Sequence, residues 1–263
     1  MNHAVDSAKM ERSVGLGAMG FHSFLQSKGI PFESALAKSW NMKFFKHLKQ
    51  EADKASVILA IEKGACPDAQ EMNVKARFSH KLAIAPTASI SIICGGTSAC
   101  IEPIPANIYT HKTLSGSFTV KNKYLEKLFD DKGINNEITW QSILENDGSV
   151  SHIKELSSEE KDCFKTAFEI YQRWIIEMAS DRTPFICQSQ SINLYLSADI
   201  DKWDLMMLHW KAWELGVKSL YYCRSKSIQR ASYAGVEGDN TSNWPEKNIT
   251  ETKTDYEECL SCQ

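Results

Sequence analysis

No stretch of this chain approaches the ~20 consecutive apolar residues that span a bilayer, so a membrane protein is not expected. The opening residues, Met1-Asn2-His3-Ala4-Val5-Asp6-Ser7-Ala8-Lys9, lack the apolar core of a secretory leader, and a cytoplasmic location is the expectation. Charge of one sign is missing too. The net charge is −3, with no concentrated basic stripe, which argues against nucleic acid as a partner. A disulfide framework is also absent. The eight cysteines lie scattered at 66, 94, 100, 163, 187, 223, 259 and 262 of 263 residues, as small buried thiols of a reducing compartment would. Without a leader, Asn240-Thr241-Ser242 and Asn248-Ile249-Thr250 are chance matches to the glycosylation sequon. What is there is ordinary for a globular domain: 43% hydrophobic and 24% charged residues.

Gly15-Leu16-Gly17-Ala18-Met19-Gly20 has the spacing of a dinucleotide-binding turn. Its context is wrong: a polar stretch, Ser7 to Arg12, precedes it, and no acidic residue follows a second strand at ribose-binding distance. Close backbone packing at the start of a helix is the better account of these glycines. From Ser34 to Lys63 there is neither glycine nor proline, and Ala37, Trp40, Phe44, Leu48, Ala52, Ala55 and Leu59 recur at steps of three and four. That predicts one apolar face of a long helix, ended by Gly64.

Leu82-Ala83-Ile84-Ala85 reads as a short buried strand stopped by Pro86. Thr87-Ala88-Ser89-Ile90-Ser91 follows, with Gly95-Gly96 closing the segment. Strand, turn and helix start leave backbone N–H groups unpaired at the positive end of a helix, which suits a phosphate. The plainer alternative is that Thr87 or Ser89 simply caps a helix. Thr97 to Pro105 reads as a loop near the same place. Cys94 and Cys100, with no basic neighbour to lower a thiol pKa, read as structural. Residues 121–155 read as a polar, irregular surface excursion.

Ser157-Ser158-Glu159-Glu160 fits a capping box before a helix running to about Met178. Gln190 to Leu196 alternates as a strand does, Asp201 to Leu215 reads as a helix ended by Gly216, and Val217 to Tyr222 as a further strand. Strand, helix, strand implies a parallel pair with a right-handed crossover. Functional groups gather at the carboxyl ends of such strands, so Tyr221-Tyr222 and Thr87-Ser89 are expected to be neighbours. Two adjacent aromatics are ordinarily core packing, and only this company singles them out. Ala234 to Glu258 carries seven acidic residues and two lysines, the composition of a mobile arm. About 35 flexible residues reach roughly 30–35 Å. The arm ends in Cys259-Leu260-Ser261-Cys262, which reads as a dithiol shuttle in preference to half of a zinc site, whose other ligands are missing.

Four segments in this order resemble the C-terminal part of the large, catalytic subunit of class I (class Ia-like) ribonucleotide reductase: Ala85-Pro86-Thr87-Ala88-Ser89; Gly96 with Ile101-Glu102-Pro103; Gly216-Val217-Lys218-Ser219-Leu220-Tyr221-Tyr222; and Glu258-Cys259-Leu260-Ser261-Cys262. The likeness runs from Arg12 to Gln263. It implies an α/β fold, the C-terminal half of a ten-stranded α/β barrel over residues 1–222, followed by a flexible redox-active tail over 223–263. It implies that Pro86, Thr87, Ala88, Ser89 and Ile90 hold the diphosphate of a nucleoside diphosphate. It implies that Tyr222 and then Tyr221 relay an oxidising equivalent from a small radical-generating subunit bearing a diiron-tyrosyl radical. Cys259 and Cys262 would re-reduce an active-site disulfide and be reduced in turn by thioredoxin or glutaredoxin. No metal or other cofactor is expected on this chain.

Two departures stand out. Ile90 replaces a small hydroxyl residue, so only its backbone can donate to phosphate. The Asn-x-Cys-x-Glu loop that bears the family's thiyl-radical cysteine is absent. The expectation is therefore one piece of a split large subunit, with a separate N-terminal chain supplying that cysteine and the ATP/dNTP effector sites. Half a barrel exposes strand edges and apolar surface, so it should need that partner. The rival readings are a non-catalytic fragment that binds the small subunit, and a thiol oxidoreductase working through the tail alone.

Overall fold

Capping side chains place the helix starts. Ser34 accepts from the Ala37 N–H ahead of α3 (Ala35–Lys63). Asn122 does so for α6 (Lys123–Lys132), Asn136 for α7 (Glu137–Glu145) and Asp201 for α10 (Lys202–Glu214). Ser157 and Glu160 form the expected reciprocal capping box of α8 (Ser158–Cys163). In the computed structural model, which describes residues 2–113 and 116–225, the remaining elements are α1 (Asn2–Glu11), α2 (Phe21–Ser27), α4 (Pro67–Glu71), α5 (Ala88–Ile93), β1 (Ile108–Thr113), β2 (Gly116–Lys121), α9 (Gln172–Arg182), β3 (Leu194–Leu196) and β4 (Cys223–Ser225).

The centre is a strip of extended segments running parallel. Val14 and Leu16 donate N–H groups to His80 and Lys81 carbonyls, and Ala83 donates back to Leu16. Ile84 donates to Ser189, and Gln188 and Ser191 return bonds to Leu82 and Ile84. β3 pairs in parallel with β4, Leu194 opposite Cys223, with α10 as the crossover. Leu25, Ala37, Phe45, Leu82, Ile84, Met178 and Ile192 fill the core between this strip and helices α2, α3 and α9. Gly17 lies against the strip so closely that a Cβ there would stand 2.5 Å from the Ala83 carbonyl oxygen. The glycine run is thus a packing device, as its context indicated.

Four expectations need correction. First, no half of a ten-stranded barrel is seen: the described residues hold two two-stranded sheets and two isolated bridges. Side chains stand where ladder carbonyls would. The Cys187 sulfur accepts from both Lys81 and Leu82 N–H at 3.1 Å, Glu102 accepts from Asn193 N–H, and Gln172 accepts from Tyr195 N–H. Second, residues 121–155 are not an irregular excursion. The β1–β2 hairpin, α6 and α7 enclose their own core of Ile108, Leu125, Phe129, Trp140, Ile143 and Phe164. Third, the stretch from Ser158 to Met178 is two helices. Between them Ala167 donates to the Ile104 carbonyl, Tyr171 donates to Glu33, and Glu169 takes the Thr166 N–H, so tertiary bonds outcompete helical ones. Fourth, Val217 to Tyr222 precedes the assigned strand, although Tyr221 already donates to the Ile192 carbonyl and Tyr222 accepts from Leu194 N–H.

The long helix forms as predicted, yet its buried face is turned. Ala37, Leu48 and Ala52 pack inward, but Trp40, Phe44 and Ala55 are exposed, and Asn41, Phe45 and Ser56 are buried instead. Asn41 is paid for by its bond to the Met178 carbonyl, and Ser56 accepts from Arg77 N–H.

Candidate functional site

The chain leaves the strip at Pro86. Thr87 then adopts φ 52°, a left-handed conformation that a β-branched residue rarely takes. Its hydroxyl does not cap α5; it accepts the Cys100 N–H at 2.8 Å. The first helical bond joins Ser91 N–H to the Thr87 carbonyl, so the N–H groups of Ala88, Ser89 and Ile90 precede it and lie at the helix start. All three residues are exposed, and Ser91 is turned inward with its hydroxyl on the Ala88 carbonyl. The turn offers backbone donors at an exposed surface, an arrangement that suits an anion. The exposed Ile90 side chain contributes no donor.

Across the strip, the rings of Tyr221 and Tyr222 are in tilted contact, with centroids 4.2 Å apart and planes inclined at 52°. They are not core residues: 45% and 39% of their surfaces remain exposed. The Arg224 guanidinium lies over the Tyr222 ring at 5.3 Å.

Glu102 joins the two places. Alternate N–H groups of a strand point to alternate sides. Those of Asn193 and Tyr195 point the same way as that of Ser191, towards the space the chain vacates when it turns away at Pro86. Glu102 fills that space. Its carboxylate accepts from Asn193 N–H at 2.6 Å, from Asn193 Nδ2 at 2.9 Å and from the Tyr195 hydroxyl at 3.1 Å. Asn193 Oδ1 in turn accepts the Tyr222 N–H at 3.1 Å. The loop that carries Glu102 thus holds Thr87 through Cys100 and Tyr222 through Asn193. By register, Tyr222 stands opposite Asn193, three residues beyond Gln190 of the Ile84–Gln190 bridge. Turn and tyrosines are each tied to this loop, the turn by the Cys100 N–H and Tyr222 by way of Asn193.

Burial raises the pKa of Glu102, opposed by its hydrogen bonds from Asn193 and Tyr195 and by the Arg182 charge. Burial also raises that of the Tyr195 phenol, and the neighbouring Glu102 charge adds to it. Beneath them Arg182 is buried, bonded to Gln190 Oε1, and lowered to about 10 by desolvation. Burial pushes the Cys100 thiol up to about 12, a poor nucleophile in keeping with a structural role. No three His, Cys, Asp or Glu side chains converge as a metal site would among the described residues. Cys259 and Cys262 lie outside the described residues. Sequence reasoning gave no role to Glu102 and did not single out Asn193. The signal available was a lone carboxylate between Ile101 and Pro103.

The family described as ribonucleotide reductase, barrel domain, matches residues 1–76 and 71–223. The ribonucleoside-diphosphate reductase large subunit of Invertebrate iridescent virus 6 is 47% identical over 88% of this chain and 24% of its own length. That of Invertebrate iridescent virus 3 is 43% identical over 87% and 36% respectively. Among solved structures, the Actinobacillus ureae class Id ribonucleotide reductase alpha subunit superposes with a TM-score of 0.79 at 39% identity, over 87% of this chain and 42% of that one. The chain thus spans about a quarter to two fifths of the relatives it matches.

Proposed function

This chain belongs to the ribonucleotide reductase large-subunit family, within its barrel domain, and we propose that it supplies three working parts of a ribonucleoside-diphosphate reductase. Pro86 to Ile90 seat the substrate diphosphate. Tyr222 and Tyr221 carry the oxidising equivalent. Cys259 and Cys262 return reducing power after turnover. The observation that carries the reading is that one loop, Cys100 to Glu102, holds both the left-handed Thr87 turn and the tyrosine pair.

At the turn, the N–H groups of Ala88, Ser89 and Ile90 donate to phosphate oxygens, and the helix dipole favours their charge. At the pair, an oxidised Tyr222 takes an electron from Tyr221 and regains its phenolic proton, while the Tyr221 phenol gives up a proton with the electron. Ring contact keeps that step short. The half-exposed Tyr222 faces a small subunit that originates the oxidation; Tyr221 hands it on towards a cysteine outside these residues. At the tail, Cys259 and Cys262 attack the active-site disulfide by thiol exchange, two electrons move inward, and thioredoxin or glutaredoxin reduces the resulting tail disulfide.

The thiyl-radical cysteine and the nucleotide-effector sites come from further polypeptide, in our reading a separate N-terminal chain. Support for such a partner lies in the surface: Leu16 at the edge of the strip and Leu36, Trp40 and Phe44 on α3 are large apolar side chains 39–53% exposed. The test is Tyr221→Phe in the assembled enzyme, with the small subunit and the completing chain present. Nucleotide reduction is lost while the chains still co-elute. Retained turnover refutes the relay.

A further inference from the structure

We propose that Glu102 is a positioning residue for the tyrosine pair, acting through the side-chain amide of Asn193. The inference rests on the relay reading above and goes beyond it, because neither residue is among those assigned to seat the phosphate or carry the radical.

The argument is one of donors and acceptors. Both oxygens of Glu102 are occupied as acceptors: Oε1 by Asn193 N–H, and Oε2 by Asn193 Nδ2 and the Tyr195 hydroxyl. The Asn193 amide therefore has its NH₂ committed to the carboxylate, which leaves Oδ1 as the only face it can present to Tyr222. That oxygen takes the Tyr222 N–H. The residue whose ring must meet Tyr221 is thus fixed at its backbone by an amide that cannot flip. Glu102 is 6% exposed and Asn193 5%, so water does not compete for these bonds. The carboxylate also stands where the strip has lost its neighbouring strand at Pro86.

The test exploits that pattern. Glu102→Gln keeps the shape but supplies one acceptor where two are needed, and its NH₂ confronts an Asn193 donor. In the assembled enzyme it lowers kcat by about tenfold or more, while KM for a nucleoside diphosphate stays within about twofold, because Thr87 is held by the Cys100 main chain, which the change does not touch. Adding Asn193→Asp reverses the donor and acceptor at the second position. The introduced glutamine then donates to the introduced aspartate, whose other oxygen still accepts the Tyr222 N–H. The double variant recovers kcat to within about threefold of the parent, a coupling that loss of packing alone does not produce.

Full kcat in Glu102→Gln overturns the inference. So does an assembled double variant no more active than the single one. If Glu102→Gln fails to assemble, the double variant decides alone, and failure of both to assemble also overturns the inference, since complementarity would not be what the site needs. The outcome separates from that of the relay itself. Turnover surviving Tyr221→Phe removes the relay, and Glu102 then has nothing to position; an inactive Tyr221→Phe beside a fully active Glu102→Gln removes only the positioning role.

Discussion

Thr87→Val isolates the bond that holds the turn proposed to seat the substrate phosphate. Valine keeps the β-branch and so keeps whatever strain φ 52° imposes; only the hydroxyl is lost. The Cys100 N–H, 2.8 Å from that oxygen in a buried residue, is left without its acceptor. An unsatisfied buried donor costs about 1–3 kcal/mol. Strain of similar size, about 1–3 kcal/mol, then pulls the turn back to ordinary φ values with nothing to resist it. The competent turn becomes a minor state, and apparent affinity falls by its population. Taking about 1.4 kcal/mol as the net, KM for the nucleoside diphosphate rises about tenfold. kcat stays within about twofold, because the substrate, once seated, restores the same geometry. Thr87→Ser, which retains the oxygen and sheds the methyl, keeps KM within about twofold. The assay is steady-state reduction of nucleoside diphosphate by the assembled enzyme over a substrate series. A Thr87→Val enzyme with parental KM, or a Thr87→Ser enzyme as impaired as Thr87→Val, refutes the role given to this hydroxyl.

Gly17→Ala places a methyl 2.5 Å from the Ala83 carbonyl and destabilises by about 1–3 kcal/mol, whereas Gly15→Ala, with 3.6 Å to the Ala83 Cβ, changes little; thermal unfolding of the two side by side checks it. Cys259→Ser blocks thioredoxin-driven multiple turnover and leaves roughly one reduction event per active site, measured by rapid quench; sustained thioredoxin-driven turnover disproves the shuttle. Buried His22, whose Nδ1 accepts the Ile104 N–H, is lowered to about 3 by desolvation. The unfolded chain binds a proton below the ordinary histidine value of about 6.5 while the folded chain does not, so its contribution is full above that value. It is lost as pH falls from about 6.5 towards 3, at up to about 1.4 kcal/mol per pH unit. Urea midpoints at stepped pH show this slope, and His22→Asn flattens it.

What was legible in the sequence was whatever a local rule could carry. The capping box at Ser157, the glycines that end α3 and α10, and the parallel β3–α10–β4 unit all follow from residues a few positions apart. The buried face of α3 was misjudged because Asn41 and Ser56 are polar, and periodicity reads polar residues as outward. Only a distant partner, the Met178 carbonyl or the Arg77 N–H, makes them interior. The unit over residues 106–165 was missed for a related reason. Its core is assembled from the hairpin, two short helices and the turn at Phe164, none of which has enough apolar residues in one run to announce itself. At the candidate site the sequence singles out positions, Thr87, Tyr221 and Tyr222, but not the bonds that tie them to the rest, which run through a main-chain N–H at Cys100 and an amide at Asn193.

Those bonds also explain why the strip is so poor in regular strand. A parallel ladder needs a neighbour at every level, and this one loses its neighbour at Pro86, where the chain turns away into the left-handed turn at Thr87. The N–H groups of Asn193 and Tyr195 then need acceptors that are not backbone, and Glu102 and Gln172 supply them. Each such replacement costs regularity, but it puts a charged or amide group at a level where a plain sheet would have only carbonyls. The level is that of Tyr222, which stands opposite Asn193. The irregularity is therefore tied to the site: a continuous strand past Pro86 would satisfy the same donors, and would remove both the left-handed turn at Thr87 and the space Glu102 occupies.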